Sequence, residues 1–173
     1  RTILDILERK ATEGVDVRLI YDGFGCLTTL PYHYERFLRE KGIQCQVFNP
    51  FRPLLNIVQN NRDHRKICVI DGKTGFTGGI NLADEYINQK RRFGHWKDTA
   101  VILKGEAVWN MTVMFLHMWN VIANSSEPID HELHLPHHFH PHILLFCFSL
   151  SLCQCEVLQV SFLHQTAFSL ALR

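Results

Sequence analysis

This sequence has almost no charge imbalance. Eighteen Lys and Arg stand against 17 Asp and Glu, for a formal net charge of +1 over 173 residues. A protein that holds nucleic acid through its overall field carries a basic excess. The balance therefore argues against a nucleic-acid partner and leaves room only for a local anion site. No Cys-x-x-Cys spacing occurs among the six cysteines, which removes the usual zinc frameworks. Cys26, Cys45 and Cys68 read instead as buried, reduced thiols. A membrane-spanning helix needs about 20 apolar residues in succession. The apolar run at residues 143–153 is shorter and gives way to Gln154 and Glu156. No signal peptide is visible in these residues, and no internal repeat is detectable. The first residue is Arg1, and residues 2–8 read as the middle of a helix, so the sequence is expected to begin inside a longer chain.

What is present divides near residue 130. Of the 18 Lys and Arg, 17 precede that point and only Arg173 follows it. Residues 131–142 hold six of the eleven histidines, and a run rich in Leu, Phe, Ser and Cys comes after them. The histidines could bind a metal, but they lack ordered spacing. The apolar run could enter a membrane, but it is short. Frame-shifted or read-through sequence would give the same composition. Residues 131–173 are therefore read as an aberrant tail, not a domain, with poor order expected.

Within residues 1–130 the signals alternate. Residues 2–11 read as a helix stopped by Gly14, and residues 15–21 as a strand with alternating apolar positions. Asp22-Gly23-Phe24-Gly25 is a turn, Pro31 opens a helix to Glu40, and residues 43–48 form a strand broken by Asn49-Pro50. A hairpin at 66–70 and 74–78, a short helix at 81–87, a strand at 99–103 and a long helix at 106–123 follow. The fold class is α/β, a mixed sheet flanked by helices.

The chemistry gathers on the hairpin. Asp71-Gly72 between two β-rich runs predicts a two-residue turn. Ile70 then faces Lys73, Lys66 faces Thr77 and His64 faces Gly79, with Asn81 one step beyond. Opposed residues share a face, so His64, Lys66, Thr77, Gly79 and Asn81 converge, and a one-residue slip would undo this. Such a set suits a phosphate. Lys66 supplies a point charge, Asn81 a neutral donor, and Gly78 and Gly79 let backbone N–H groups approach an anion. An imidazole is nucleophilic when neutral, and no metal-ligand set accompanies this one.

The spacing His64-x-Lys66-x4-Asp71-x6-Gly78-Gly79-x-Asn81 resembles the HKD motif of the phospholipase D superfamily. The words Asn61-Arg62-Asp63-His64-Arg65-Lys66-Ile67 and Gly78-Gly79-Ile80-Asn81-Leu82-Ala83-Asp84-Glu85-Tyr86-Ile87 are similar to those of bacterial cardiolipin synthases. So are Tyr21-Asp22-Gly23, Asn49-Pro50 and Gly94-His95-Trp96-Lys97-Asp98-Thr99, and the likeness runs over roughly residues 1–123.

The resemblance implies a phospholipase D-like domain that transfers a phosphatidyl group between two phosphatidylglycerol molecules, through a phosphohistidine and with no cofactor. It implies His64, Lys66 and Asp71 as the catalytic signature. His64 would attack phosphorus or protonate the leaving glycerol, while Lys66, Gly79 and Asn81 would hold phosphoryl oxygens. The hairpin, however, puts Asp71 in the turn, roughly 20 Å of strand from His64, which favours a structural role for it. Asp98 is a candidate acid for orienting His64. Arg52, Arg62 and Lys90-Arg91-Arg92 could meet anionic headgroups.

Family members place two HKD motifs at one site and begin with membrane-spanning helices. This sequence carries one motif and no such helix. It is therefore expected to be the N-terminal catalytic half of an enzyme of the bacterial cytoplasmic membrane, without its anchor and inactive without a second HKD half or a second subunit. Two other readings stay open: a homodimeric single-motif phosphodiesterase or nuclease, and a non-catalytic domain that binds phosphate or lipid headgroups.

Overall fold

The computed structural model of the chain describes residues 3–51, 63–92, 94–129 and 141–147. In chain order the elements are α1 (Ile3–Thr12), β1 (Asp16–Asp22), α2 (Tyr34–Glu40), β2 (Gln44–Phe48), β3 (Ile67–Ile70), β4 (Thr74–Gly78), a 3-10 turn (Asp84–Ile87), β5 (Ala100–Lys104), α3 (Val108–Ala123) and β6 (His142–Cys147). The strands form one mixed sheet in the order β2-β1-β6-β3-β4-β5. β1 is parallel to both β2 and β6, and the remaining pairings are antiparallel. The α/β class with helices flanking a mixed sheet is what the sequence predicts.

Alternation along the strands divides the core into two layers. Ile6 and Leu7 of α1 and Leu38 of α2 pack with Leu19, Cys68, Ile70, Ile143 and Leu145 on one face. Met111, Phe115 and Trp119 of α3 pack with Ile20, Ile67, Val69 and Leu144 on the other. Central strands covered on both faces read as continuous apolar runs. That explains why all four residues of β3 are buried. Cys26, Cys45 and Cys68 are buried free thiols, and burial pushes Cys45 and Cys68 up to about 12.

Two expectations need correction. Composition set everything after residue 130 apart from the fold, yet His142–Cys147 forms β6, hydrogen-bonded between β1 and β3. The reason is apolar burial: Ile143, Leu144 and Leu145 are each under 7% exposed and fill both layers. The rest of the tail lies outside the described residues.

The hairpin register is also shifted by one. Asp71 and Gly72 do form the tight turn, with φ of 53° and 58° and a bond from the Lys73 N–H to the Ile70 carbonyl. But Ile70 pairs with Thr74 and Ile67 with Thr77. Lys73 is an extra residue of the bulge kind, and its carbonyl accepts the Gly105 N–H just past β5. α2 also starts later than Pro31. It begins behind His33, whose left-handed φ of 60° stops the helix from extending backwards.

Strand directions define the two edges of the sheet. The C-terminal ends of β1, β2 and β4 lie at the same edge as the N-terminal ends of β3 and β5. The segments 23–33, 49–51, 63–66, 79–92 and 94–99 therefore meet there.

Candidate active site at one edge of the sheet

Asp22 ends β1 fully buried, which demands partners for its carboxylate. Its Oδ1 accepts the Gly25 N–H at 2.6 Å and its Oδ2 the Asp63 N–H at 3.3 Å. One side chain thus ties the turn after β1 to the approach to β3. Asp63 is itself only 8% exposed. It accepts the Arg65 backbone N–H at 3.0 Å and grips the Arg65 guanidinium through both oxygens. Burial alone would raise the Asp63 pKa, but the Arg65 bonds outweigh it and hold the carboxyl below its usual range.

His64 sits between these two braced residues and is exposed. Lys66 Nζ donates to the His64 carbonyl at 2.6 Å and lies 3.4 Å from His64 Nδ1. The edge thus presents an imidazole to solvent beside an ammonium group, a local positive charge in a chain of formal net charge +1.

The glycines at the end of β4 serve a close approach by β5. A Cβ on Gly78 would meet the Thr99 carbonyl oxygen at 2.6 Å, and one on Gly79 would meet Asp98 Oδ1 at 2.5 Å. The Gly79 N–H bonds to the Thr99 carbonyl at 3.3 Å, so it is committed to the sheet, contrary to the expectation that it approaches an anion. Asp98 is fixed against Gly79. It accepts Trp96 Nε1 at 3.0 Å and the Thr99 N–H at 2.7 Å. Trp96 in turn packs edge-on against Tyr86, and its backbone is held by Asn88 through two bonds. Asn81 is 6% exposed, and its Oδ1 has no hydrogen-bond partner among the described residues.

The sequence-predicted residues are distributed as follows. His64, Lys66, Gly79, Asn81 and Asp98 all belong to segments meeting at this edge. The ladder ends at Ile67–Thr77, so the expected facing of His64 with Gly79 and of Lys66 with Thr77 does not occur. Lys73 drops out of the ladder and moves every later position by one. Asp71 lies at the opposite edge, where it exchanges two bonds with the backbone of His142, at 3.0 and 3.1 Å. Arg52 and Arg62 lie outside the described residues. Lys90 and Arg91 are exposed, and Arg92 pairs with Glu85 at 3.1 Å. The braces Asp22 and Asp63 carried a weak signal that sequence reasoning left unused: each is an acid beside a motif word, Asp22 before Gly23 and Asp63 before His64. Among the described residues no group of His, Cys, Asp or Glu could hold a metal ion, and no helix is long and apolar enough to cross a membrane.

A mixed sheet with helices on both faces, and an H-x-K pair at its edge followed by a glycine pair, defines a phospholipase D-like domain. The family model described as "Cardiolipin synthase, PLD-like domain" matches residues 1–119, and the chain belongs to that family. It is 51% identical to an uncharacterized protein of Streptococcus mutans, over 75% of this chain and 33% of that protein. It is 39% identical to a cardiolipin synthase of Listeria innocua, over 75% of this chain and 27% of the relative. The corresponding figures for cardiolipin synthase 2 of Staphylococcus epidermidis are 42%, 69% and 25%. The chain thus spans a third or less of the length of these relatives. No solved structure matches it.

Proposed function

We propose that this domain contributes one histidine of a two-histidine phosphatidyl-transfer site acting on phosphatidylglycerol at an anionic membrane surface. The observation that carries the reading is His64, exposed at the sheet edge with the Lys66 ammonium group 3.4 Å from its ring, inside the single HKD spacing. His64 acts as nucleophile or as acid to the leaving glycerol. In the nucleophilic role its ring nitrogen forms a bond to phosphorus as the bond to the glycerol oxygen breaks. A second acid, from another HKD half or another copy of the chain, supplies the proton that leaves with glycerol. Lys66 and the Asn81 amide hold the phosphoryl oxygens as charge builds on them. Gly79 contributes space, not an N–H, by admitting Asp98. Asp98, fixed by Trp96 and Thr99, is the positioning acid for His64. Asp71 serves the turn and the start of β6, not the chemistry. Lys90 and Arg91 meet lipid headgroups.

The test is capture of an acid-labile phosphatidyl adduct on this chain from labelled phosphatidylglycerol. With His64 as nucleophile the adduct forms on the native chain and is absent from His64→Ala, and Lys66→Ala should form it about a hundredfold more slowly. An adduct that survives His64→Ala sinks the histidine reading. Full turnover by a strictly monomeric chain sinks the half-site reading.

A further inference from the structure

The described residues expose six large hydrophobic side chains: Leu27, Tyr32, Phe37, Phe51, Val101 and Val121. Isolated exposed apolar residues need no explanation, but a group at one place does. Leu27, Tyr32 and Phe51 lie in segments that leave the sheet at one edge. Residues 23–33 leave the C-terminal end of β1 and residues 49–51 leave that of β2, so both emerge at the edge that carries His64. The two segments touch. The rings of Phe24 and Phe51 lie 6.5 Å apart, and a Cβ on Gly23 would meet Pro50 Cα at 2.9 Å.

Within this group Tyr32 is 89% exposed, against 46% for Leu27 and 42% for Phe51. An aromatic ring left this far in water contributes nothing to folding. The chain nevertheless fixes its position. Tyr32 stands between Pro31 and His33, with its ring 4.0 Å from the His33 imidazole, and His33 is held at positive φ by the start of α2. A fixed mount for an outward tyrosine, with Leu27 in the same segment and Phe51 in the segment that touches it, suits an interface that is apolar inside and wet at its margin.

Across the same edge, the loop between β4 and β5 presents Lys90, Arg91 and Lys97, all exposed and in no ion pair among the described residues. Aliphatic and aromatic side chains on one flank of His64 and cations on the other match the two layers of an anionic bilayer surface. We infer that Leu27, Tyr32 and Phe51 insert into the bilayer interface and seat His64 at headgroup depth, with Lys90, Arg91 and Lys97 against the phosphates. The inference rests on the phosphatidyl-transfer reading for its substrate, and it adds how the domain reaches that substrate.

The full chain is mixed with phosphatidylcholine vesicles with and without phosphatidylglycerol, and the bound fraction is measured by flotation at low and high salt. Binding is expected to strengthen with phosphatidylglycerol and to keep a salt-resistant part. The triple variant L27S/Y32S/F51S should lose that part by about tenfold or more. If its far-UV circular dichroism matches the native chain and its salt-resistant binding does too, the inference is overturned. A second variant, Tyr32→Trp, keeps the inference testable should the triple variant misfold. Relative to the native chain, its added emission should shift blue and be quenched by lipids brominated near the headgroup. Added emission that stays water-like on vesicles overturns the insertion. Adduct formation on His64 from a soluble short-chain phosphatidylglycerol is followed in parallel. If the adduct forms while insertion fails, the docking inference alone falls. If insertion holds while no adduct forms, the nucleophilic role of His64 falls.

Discussion

Asp63 shows how a single carboxylate can hold a histidine in place. It is buried and bonded to Arg65 on one side of His64, and its N–H is received by Asp22 on the other. Its folded pKa is depressed, so the stability it contributes is present above the unfolded value near 4 and is lost as pH falls through the folded value. Asp63→Asn should therefore be less stable at neutral pH by about 1–3 kcal/mol. Its melting curve should converge on that of the native chain as pH drops below about 4. Thermal melts of both chains from pH 7 downward check this, and a gap that stays constant down to pH 3 rules it out. Gly79 offers a second test at this scale. Gly79→Ala places a methyl 2.5 Å from Asp98 Oδ1, a carboxylate held by Trp96 and the Thr99 N–H. We expect a loss of about 1–3 kcal/mol in denaturant unfolding from overpacking. The damage should be largely relieved by adding Asp98→Ala, and equal losses in the single and double variants would show that the clash is not with Asp98.

Among the elements, β6 governs whether the sheet is one body. It joins β1 to β3, and without it the order β2-β1-β6-β3-β4-β5 falls into two pieces, each with an open strand edge. Leu144→Ala should cost about 2–5 kcal/mol, because the side chain is 2% exposed against α3. A chain ending at residue 129 should lose its cooperative melt, and a truncated chain that melts like the full one would show that β6 adds nothing. This strand was the least legible element in the sequence. Its apolar run has no alternation, and its neighbours in sequence share the same composition, so burial on both faces could not be told from non-protein character. Helices α1 and α3 and the strands β1, β2 and β5 were legible because their periods are clear. The Asp71-Gly72 turn was legible for its chemistry. Its register was not, because Lys73 leaves the ladder to meet Gly105, a contact between residues far apart in sequence. The site was readable as a set of residue types at a fixed spacing. Which of those residues face one another was not readable, since one bulge decides it.

For the molecule as a whole, the decisive quantity is the number of catalytic histidines per site. The sequence contains one H-x-K-x4-D spacing, and the transfer chemistry needs a nucleophile together with an acid. If a second copy of the chain supplies the partner histidine, the two chains share one site about a two-fold axis. Activity per chain should then rise with concentration and level off once dimers dominate. Mixing also separates the cases. In an equimolar mixture of the native chain and His64→Ala, random pairing leaves about one quarter of the dimers with two histidines, so activity at fixed total protein should fall to about a quarter of the native value. Chains that work alone would instead give about one half, since the native chains in the mixture would be undisturbed. If a different HKD half is the true partner, neither chain nor mixture turns over at any concentration, and activity appears only when that half is added. A phosphatidylglycerol transfer assay across the mixing series, with the association state followed by sedimentation, decides among the three. A value of one half from a chain that sediments as a monomer would end the shared-site account.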